Sequence, residues 1–138
     1  MDFTYHVEGG DFTNAGSTSS EVKRMLKKLG VSPDIVKRTV VALYEAEVNI
    51  VAHAYRGDIS VDLQDDKVRI VLADEGPGIP NIDWAMQKGN STASPKVREM
   101  GFGAGMGLPN IKKYTDEFRI DTEVGVGTTL TLKVYMKP

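Results

Sequence analysis

The chain has no cysteine and no strong excess of charge of either sign. The absence of Cys among its 138 residues excludes disulfide bonds and cysteine-ligated metal sites. Its 17 Lys and Arg residues stand against 19 Asp and Glu residues, for a net charge of −2. This balance gives no electrostatic reason to expect nucleic acid or a membrane surface as a partner.

Long hydrophobic runs are also missing. No apolar stretch approaches the roughly 20 residues that a membrane-spanning helix needs. The first residues, 1–6, do not combine a basic region with an apolar one, as a secretory signal does. The expected location is therefore the cytoplasm.

The composition that remains is that of an ordinary globular domain, with 41% hydrophobic and 26% charged residues. A chain of 138 residues predicts one domain, 1–138, with enough apolar side chains to form a core without staples. We find no internal repeat and no linker that divides it.

Apolar residues recur at two different periods along the chain. Alternation predicts strands at 3–8, 59–63, 68–72, 118–122 and 130–134. Helical spacing predicts helices at 19–29, from Ser32-Pro33-Asp34 to about 56 with Gly57 ending it, at 81–88 and at 107–115. The second half of the long helix is apolar nearly all round and should be buried. The pattern predicts an α+β two-layer sandwich, whose sheet packs one apolar face against helices on one side.

Two polar residues interrupt the buried half of the long helix. Glu45 and Asn49 are four residues apart, so they lie about 40° from each other around the helix axis. The Asn oxygen suits Mg²⁺, and the Glu carboxylate can orient or deprotonate a hydroxyl group. A helix face hydrogen-bonded to a neighbouring loop explains this pair equally well. Glu47, on the opposite side, and His53 are expected to be structural.

A second motif, Asp74-x-Gly76-x-Gly78, directly follows an apolar strand. An Asp at a strand end can accept a hydrogen bond from an exocyclic amine, and glycines let the backbone approach a flat ring. Taken alone, the segment through Ile79 is explained more simply as a Gly-Pro turn between a strand and a helix.

A third motif places glycine at every second position from Gly101 to Gly107, just before a predicted helix. Free N–H groups and the helix dipole make such a junction an anion site, although a flexible hinge has the same composition. A Rossmann loop is disfavoured because hairpins flank the site and the loop comes late in the chain. The polar segment between the second and third motifs, about 82–101, is predicted to be a mobile lid, with Lys88 as a candidate phosphate contact.

In this order the motifs resemble the N, G1 and G2 boxes of the GHKL superfamily of ATP-binding domains, which includes histidine kinase catalytic domains. The resemblance runs from Lys37 to the C-terminus, and Gly127-Thr128-Thr129 is similar to the closing motif of the family. The compact spacing and the dipeptide Glu45-Ala46 look most like stand-alone bacterial anti-sigma-factor serine/threonine kinases and stressosome switch kinases. The implied fold is the Bergerat sandwich, with a mixed, mostly antiparallel sheet and helices on one face.

The resemblance implies a role for each matching residue, with ATP and Mg²⁺ as cofactors. Glu45 is the implied general base, Asn49 the implied Mg²⁺ ligand and Asp74 the implied partner of the adenine amine. The remaining residues implied to bind the nucleotide are Gly76, Gly78, Ile79, Lys88, Gly103, Gly105, Met106, Gly107, Leu108 and Thr128.

The implied substrate is a Ser or Thr of a STAS-type anti-sigma antagonist. A sigma factor and a second copy of the chain are further implied partners, although the region before Lys37, where such kinases bind them, matches no motif. The alternative is a regulatory module that binds ATP to hold or release a partner without phosphate transfer. A chaperone-type ATP hydrolase is disfavoured because no transducer domain follows. A histidine kinase is disfavoured because no helix with an acceptor His precedes the domain.

Overall fold

The structure is a computed structural model, and it describes residues 1–87 and 107–136. Its strands and helices alternate along the chain much as the two hydrophobic periods predict. In chain order the elements are β1 (Asp2–Glu8), α1 (Ser17–Lys28), α2 (Pro33–His53), β2 (Arg56–Leu63), β3 (Lys67–Glu75), α3 (Ile82–Ala85), α4 (Gly107–Tyr114), β4 (Glu117–Glu123) and β5 (Gly127–Tyr135). A short 3-10 turn, Phe12–Asn14, precedes α1.

The described strands form one sheet in the order β1-β2-β3-β5-β4. Each pairing in this sheet is antiparallel, where the resemblance implied a mixed sheet. The reason is the last hairpin: β5 lies between β3 and β4, so these two strands, which run in the same direction, never pair. The expected α+β sandwich is otherwise confirmed.

One face of the sheet carries the core. Alternate residues of each central strand are buried, such as Ile70 and Leu72 on β3 and Leu132 on β5. The helices cover this face, with α2 in the middle, between α1 and α4. Because α2 supplies side chains both to the core and to its contacts with the neighbouring helices, it is the element that positions the candidate site.

The long helix α2 ends earlier than predicted, at His53. Ala54 is already extended, and the N–H of Tyr55 donates to the carbonyl of Glu75 at 2.8 Å, so the chain leaves the helix to join the end of β3. Gly57 therefore does not end the helix; it lies within β2, opposite Asp74. No helix in the described parts of the chain has both the length and the apolar character to cross a membrane.

Two other boundaries differ from the sequence prediction. Helix α1 covers Ser17–Lys28, two residues further toward the N-terminus than the apolar spacing indicated. Helix α3 is limited to Ile82–Ala85 and starts at an Asn81 cap, whose side chain accepts a hydrogen bond from the N–H of Trp84 at 3.0 Å. The Asn81 cap sets the start of α3, and hydrogen bonds to the side chain of Glu47 set the start of α1. Hydrophobic periodicity reports neither contact.

Candidate functional site

The Glu45–Asn49 face of α2 lies against the start of α4. A Cβ atom built on Gly107, the first residue of α4, would lie 3.0 Å from Oδ1 of Asn49. One turn further along α4, Nδ2 of Asn110 donates to Oε1 of Glu45 over a long 3.4 Å. The first motif therefore meets the helix that follows the glycine run.

A groove of about 760 Å³ opens beside Glu45. One wall comes from the segment 13–23, which carries Ser, Thr and Asn side chains and Lys23, and the other from Val40, Val41, Tyr44 and Glu45 of α2. Tyr44 was expected to be buried with the rest of this half of α2, but it is 39% exposed because its ring forms part of the groove. The candidate base thus lies at the edge of this groove.

The opposite end of the candidate site is built around Asp74, near the end of β3. Its Oδ1 accepts a hydrogen bond from the N–H of Thr128 at 3.0 Å. Within the described residues Oδ2 makes no such bond, so one carboxylate oxygen remains available for a ligand. Burial raises the pKa of the Asp74 carboxyl, and the Thr128 N–H opposes this by lowering it.

Backbone contacts fix the turn after Asp74 to the β4–β5 hairpin. The N–H of Gly76 donates to the carbonyl of Val126 at 3.0 Å. At Gly78, where φ is +75°, a Cβ would lie 2.5 Å from the carbonyl oxygen of Glu123. At Gly127 a Cβ would lie 2.0 Å from the carbonyl oxygen of Asp74. These approaches leave no room for a side chain, so glycine is required at both positions.

A hydroxyl group that the sequence analysis missed connects the two strands to the turn. Oγ1 of Thr122 on β4 accepts a hydrogen bond from the N–H of Ile79 at 2.9 Å and lies 2.9 Å from Oγ1 of Thr128. It also lies 3.2 Å from the carbonyl oxygen of Gly127, to which it can donate. In sequence Thr122 is only one more member of an alternating strand, so no local signal identified it.

The remaining predicted residues divide into two groups. Leu108 is 7% exposed and belongs to the hydrophobic core, so its side chain holds α4 in place. The others, which lie outside the described residues, are Lys88, Gly103, Gly105 and Met106. Most of the predicted lid lies outside the described residues as well. Their assignment to the nucleotide site stays a prediction.

The architecture defines a class: a two-layer domain with helices on one face of an antiparallel sheet, whose sequence lacks the phosphate loop of common NTPases. In it Asn49 lies against the first residue of a second helix, and Asp74 accepts a hydrogen bond from the last hairpin. The sequence model of the family described as "Histidine kinase-like ATPase domain" matches residues 11–134. The chain belongs to this family, which confirms the resemblance drawn from the motifs.

Curated relatives share a large part of the chain. The serine/threonine-protein kinase RsbT of Bacillus subtilis is 32% identical over 112 residues, which cover 78% of each protein. The anti-sigma F factor of a Geobacillus strain is 36% identical over 105 residues, which cover 72% of this chain and 67% of that protein.

Solved structures share the fold. The RsbU and RsbW domains of a Mycobacterium tuberculosis protein superpose with a TM-score of 0.62 at 21% identity. That match covers 99% of this chain and 33% of the longer one. The mycobacterial sensor histidine kinase MprB gives a TM-score of 0.56 at 16% identity, over 100% of this chain and 99% of that one.

Proposed function

We propose that this chain is an ATP-dependent serine/threonine protein kinase of a bacterial partner-switching module. It transfers the γ-phosphate of ATP to a Ser or Thr of a STAS-type anti-sigma antagonist. The observation that carries this proposal is the placement of Glu45, whose carboxylate lies beside the start of α4 and at the edge of an open groove. Similarity to the serine/threonine-protein kinase RsbT supports the kinase activity, and similarity to the anti-sigma F factor supports a partner of the anti-sigma type.

The arrangement gives each end of the site a task. Adenine lies at the Asp74 end, where the free Oδ2 accepts a hydrogen bond from its amine. The phosphates lie at the α2–α4 end, where the N-terminus of α4 favours negative charge. The acceptor hydroxyl enters from the groove. Its oxygen bonds to the γ-phosphorus as the bond to ADP breaks, and Glu45 takes its proton.

Mg²⁺ fits the residues at the phosphate end. The described residues contain no group of three or more His, Cys, Asp and Glu side chains that can hold a metal ion. The amide of Asn49 is a single neutral oxygen donor, and Mg²⁺ bound mainly through phosphates and water needs no more than that. When present, the ion would neutralise phosphate charge.

Phosphate transfer from radiolabelled ATP to purified STAS-domain proteins tests the proposal. We expect the wild-type protein to label one acceptor. The Glu45→Gln variant should bind Mg-ATP as the wild type does and transfer about 10²- to 10⁴-fold more slowly, because general base catalysis contributes about that much. Retained transfer in Glu45→Gln would show that Glu45 is not the base.

The same assay separates the kinase from its alternative. Tight Mg-ATP binding without transfer to any acceptor would make the chain a nucleotide-gated binding module. As a kinase, the chain acts as one cytoplasmic domain, and its further partners are a sigma factor and a second copy of the chain. Light scattering with and without a purified sigma factor would detect both assemblies.

A further inference from the structure

Glu47 lies two residues from both Glu45 and Asn49, but it faces another part of the molecule. It is 1% exposed, and its carboxylate accepts four hydrogen bonds from the first turn of α1. Oε2 accepts from the N–H groups of Gly16 at 2.9 Å and Thr18 at 3.3 Å. Oε1 accepts from the N–H of Ser19 at 3.0 Å and from its Oγ at 2.7 Å.

This carboxylate replaces the cap that α1 lacks. The N-cap residue of α1 is Gly16, which has no side chain to accept from the free N–H groups of the first turn. A helix start left without acceptors is unfavourable, and a carboxylate there is favoured by the helix dipole as well. Glu47 of α2 therefore fixes where α1 begins.

The turn that Glu47 holds is a wall of the groove beside Glu45. Gly16 has φ of +93°, and a Cβ on it would lie 3.0 Å from Cε1 of Tyr44, so the turn lies directly against the tyrosine ring. Gly16 and Ser19 line the groove on one side, and Tyr44 and Glu45 line it on the other. The width of the groove at this point depends on the contact between α1 and Glu47.

We propose that Glu47 is a positioning residue for the phosphoryl acceptor. It lies about 160° from Glu45 around the helix and touches no reacting atom. It holds the first turn of α1 against α2, and this turn sets the distance between the acceptor segment and the carboxylate of Glu45. The inference rests on the proposed kinase function.

A purely structural Glu47 would behave differently. Its loss would lower the stability of the whole domain and would weaken ATP and acceptor alike. A positioning role predicts a split between the two substrates. The acceptor depends on the α1 turn, whereas the nucleotide is held at Asp74 and at the start of α4.

The test is Glu47→Gln, which keeps the side-chain size and points an NH₂ group at the N–H donors. With a purified STAS-domain protein that the wild type phosphorylates, we expect the KM for the acceptor to rise about tenfold, because weakened charge-assisted hydrogen bonds are worth about that much. The Kd for Mg-ATP should stay within about twofold of the wild type on the same scale. Hydrogen exchange at residues 16–19 should become faster.

Three further variants separate the causes. Glu21→Gln removes an exposed acid from α1 and should leave both constants unchanged. Val134→Ala destabilises the core at β5, away from the groove, and should leave the KM for the acceptor unchanged. Glu47→Asp keeps the charge on a shorter side chain, and its KM for the acceptor should fall between those of the wild type and Glu47→Gln. It replaces Glu47→Gln if that protein does not fold.

Two results overturn the inference: an unchanged KM for the acceptor despite faster exchange at 16–19, or equal losses of ATP and acceptor affinity. A wild-type protein that labels no acceptor overturns the proposed function, and this inference with it. The wild-type reaction alone decides that outcome, so the two failures are distinguishable.

Discussion

Each end of the proposed nucleotide pocket is held by a different kind of contact. At the Asp74 end, backbone binds backbone: the N–H of Gly76 reaches Val126 at 3.0 Å, and the N–H of Gly125 reaches the carbonyl of Pro77 at 2.9 Å. At the α2–α4 end the described hydrogen bond joins two side chains, Asn110 and Glu45, over 3.4 Å.

The difference teaches where the pocket is preformed. Backbone contacts through a glycine turn allow little adjustment, so the Asp74 end has its shape before any ligand arrives, which lowers the entropy cost of binding. Side chains at the α2–α4 end can change rotamer. If the proposed function is right, ATP binding and phosphate transfer depend on ends of unequal stiffness, and substitutions should separate them.

The largest effect should come from a methyl group at the stiff end. In Gly127→Ala the new Cβ meets the carbonyl oxygen of Asp74 at 2.0 Å, and both atoms belong to paired strands. We expect about 3 kcal/mol of destabilisation and loss of measurable ATP binding, since overpacking against backbone cannot be relieved by a rotamer change. Urea unfolding and ATP titration measure the two effects.

Gly107→Ala is the matched substitution at the flexible end. Its Cβ would meet the Asn49 side chain at 3.0 Å, which can move, and Ala is the better helix former by about 1 kcal/mol. The unfolding free energy should therefore change by less than about 1 kcal/mol. If both glycine variants lost equal stability, the contrast between the two ends would be wrong.

A smaller effect is expected from Asn49→Ala. If Asn49 supplies the one protein ligand to Mg²⁺, its loss should weaken Mg-ATP binding by about 10- to 100-fold, the range known for groups that support metal sites. Binding of ATP without Mg²⁺ should change little. Calorimetry with and without Mg²⁺ measures the difference, and equal affinities in wild type and variant would remove Asn49 from the metal site.

The residues at both ends of the proposed site could be predicted from the sequence, but the contacts that hold them could not. Spacing along a helix brought Glu45 and Asn49 to one face, and alternation gave the strands that carry Asp74 and Thr128. Gly57 shows the limit. After a helix it looks like a terminator, yet it lies in β2, where a Cβ would come within 2.9 Å of Ile50 and 3.2 Å of Asp74. Only the register of distant strands reveals such a contact.

Two polar contacts were missed for the same reason. Thr122 and Asn110 carry no motif, and their roles depend on which strand or helix lies opposite. A polar residue one turn inside α4 was the available signal for Asn110. The sequence predicted that Glu47 is structural, but not which residues it contacts. Its four donors come from a segment about 30 residues away, which local pattern cannot locate.

Asp74→Asn should change base preference more than affinity. The Asn oxygen can still accept from the N–H of Thr128, but the group in place of Oδ2 becomes a donor. We expect ATP binding to weaken about tenfold, the worth of one charge-assisted hydrogen bond, and the preference for ATP over GTP to fall. Competition titrations measure this preference; an unaltered preference would place the adenine contact elsewhere.

The pH dependence of Asp74 is a second test of its proposed contact with adenine. Because burial raises its pKa from the ordinary value of 3.8, the folded protein keeps a proton that the unfolded chain has released. Between 3.8 and the raised pKa, wild-type stability should therefore fall relative to Asp74→Asn as pH rises. ATP affinity should fall as pH is lowered through the raised pKa in the wild type and not in the variant. Parallel pH profiles would contradict both statements.

The smallest effect should come from Asn110→Ala, which removes the described side-chain contact to Glu45. At 3.4 Å and partly exposed, this hydrogen bond is weak, so stability should change by less than about 0.5 kcal/mol. Transfer should change by no more than about twofold, because Glu45 must in any case turn toward an acceptor hydroxyl. A tenfold loss of transfer at constant ATP affinity would show instead that Asn110 holds Glu45 in place, and that this end of the pocket is preformed like the other.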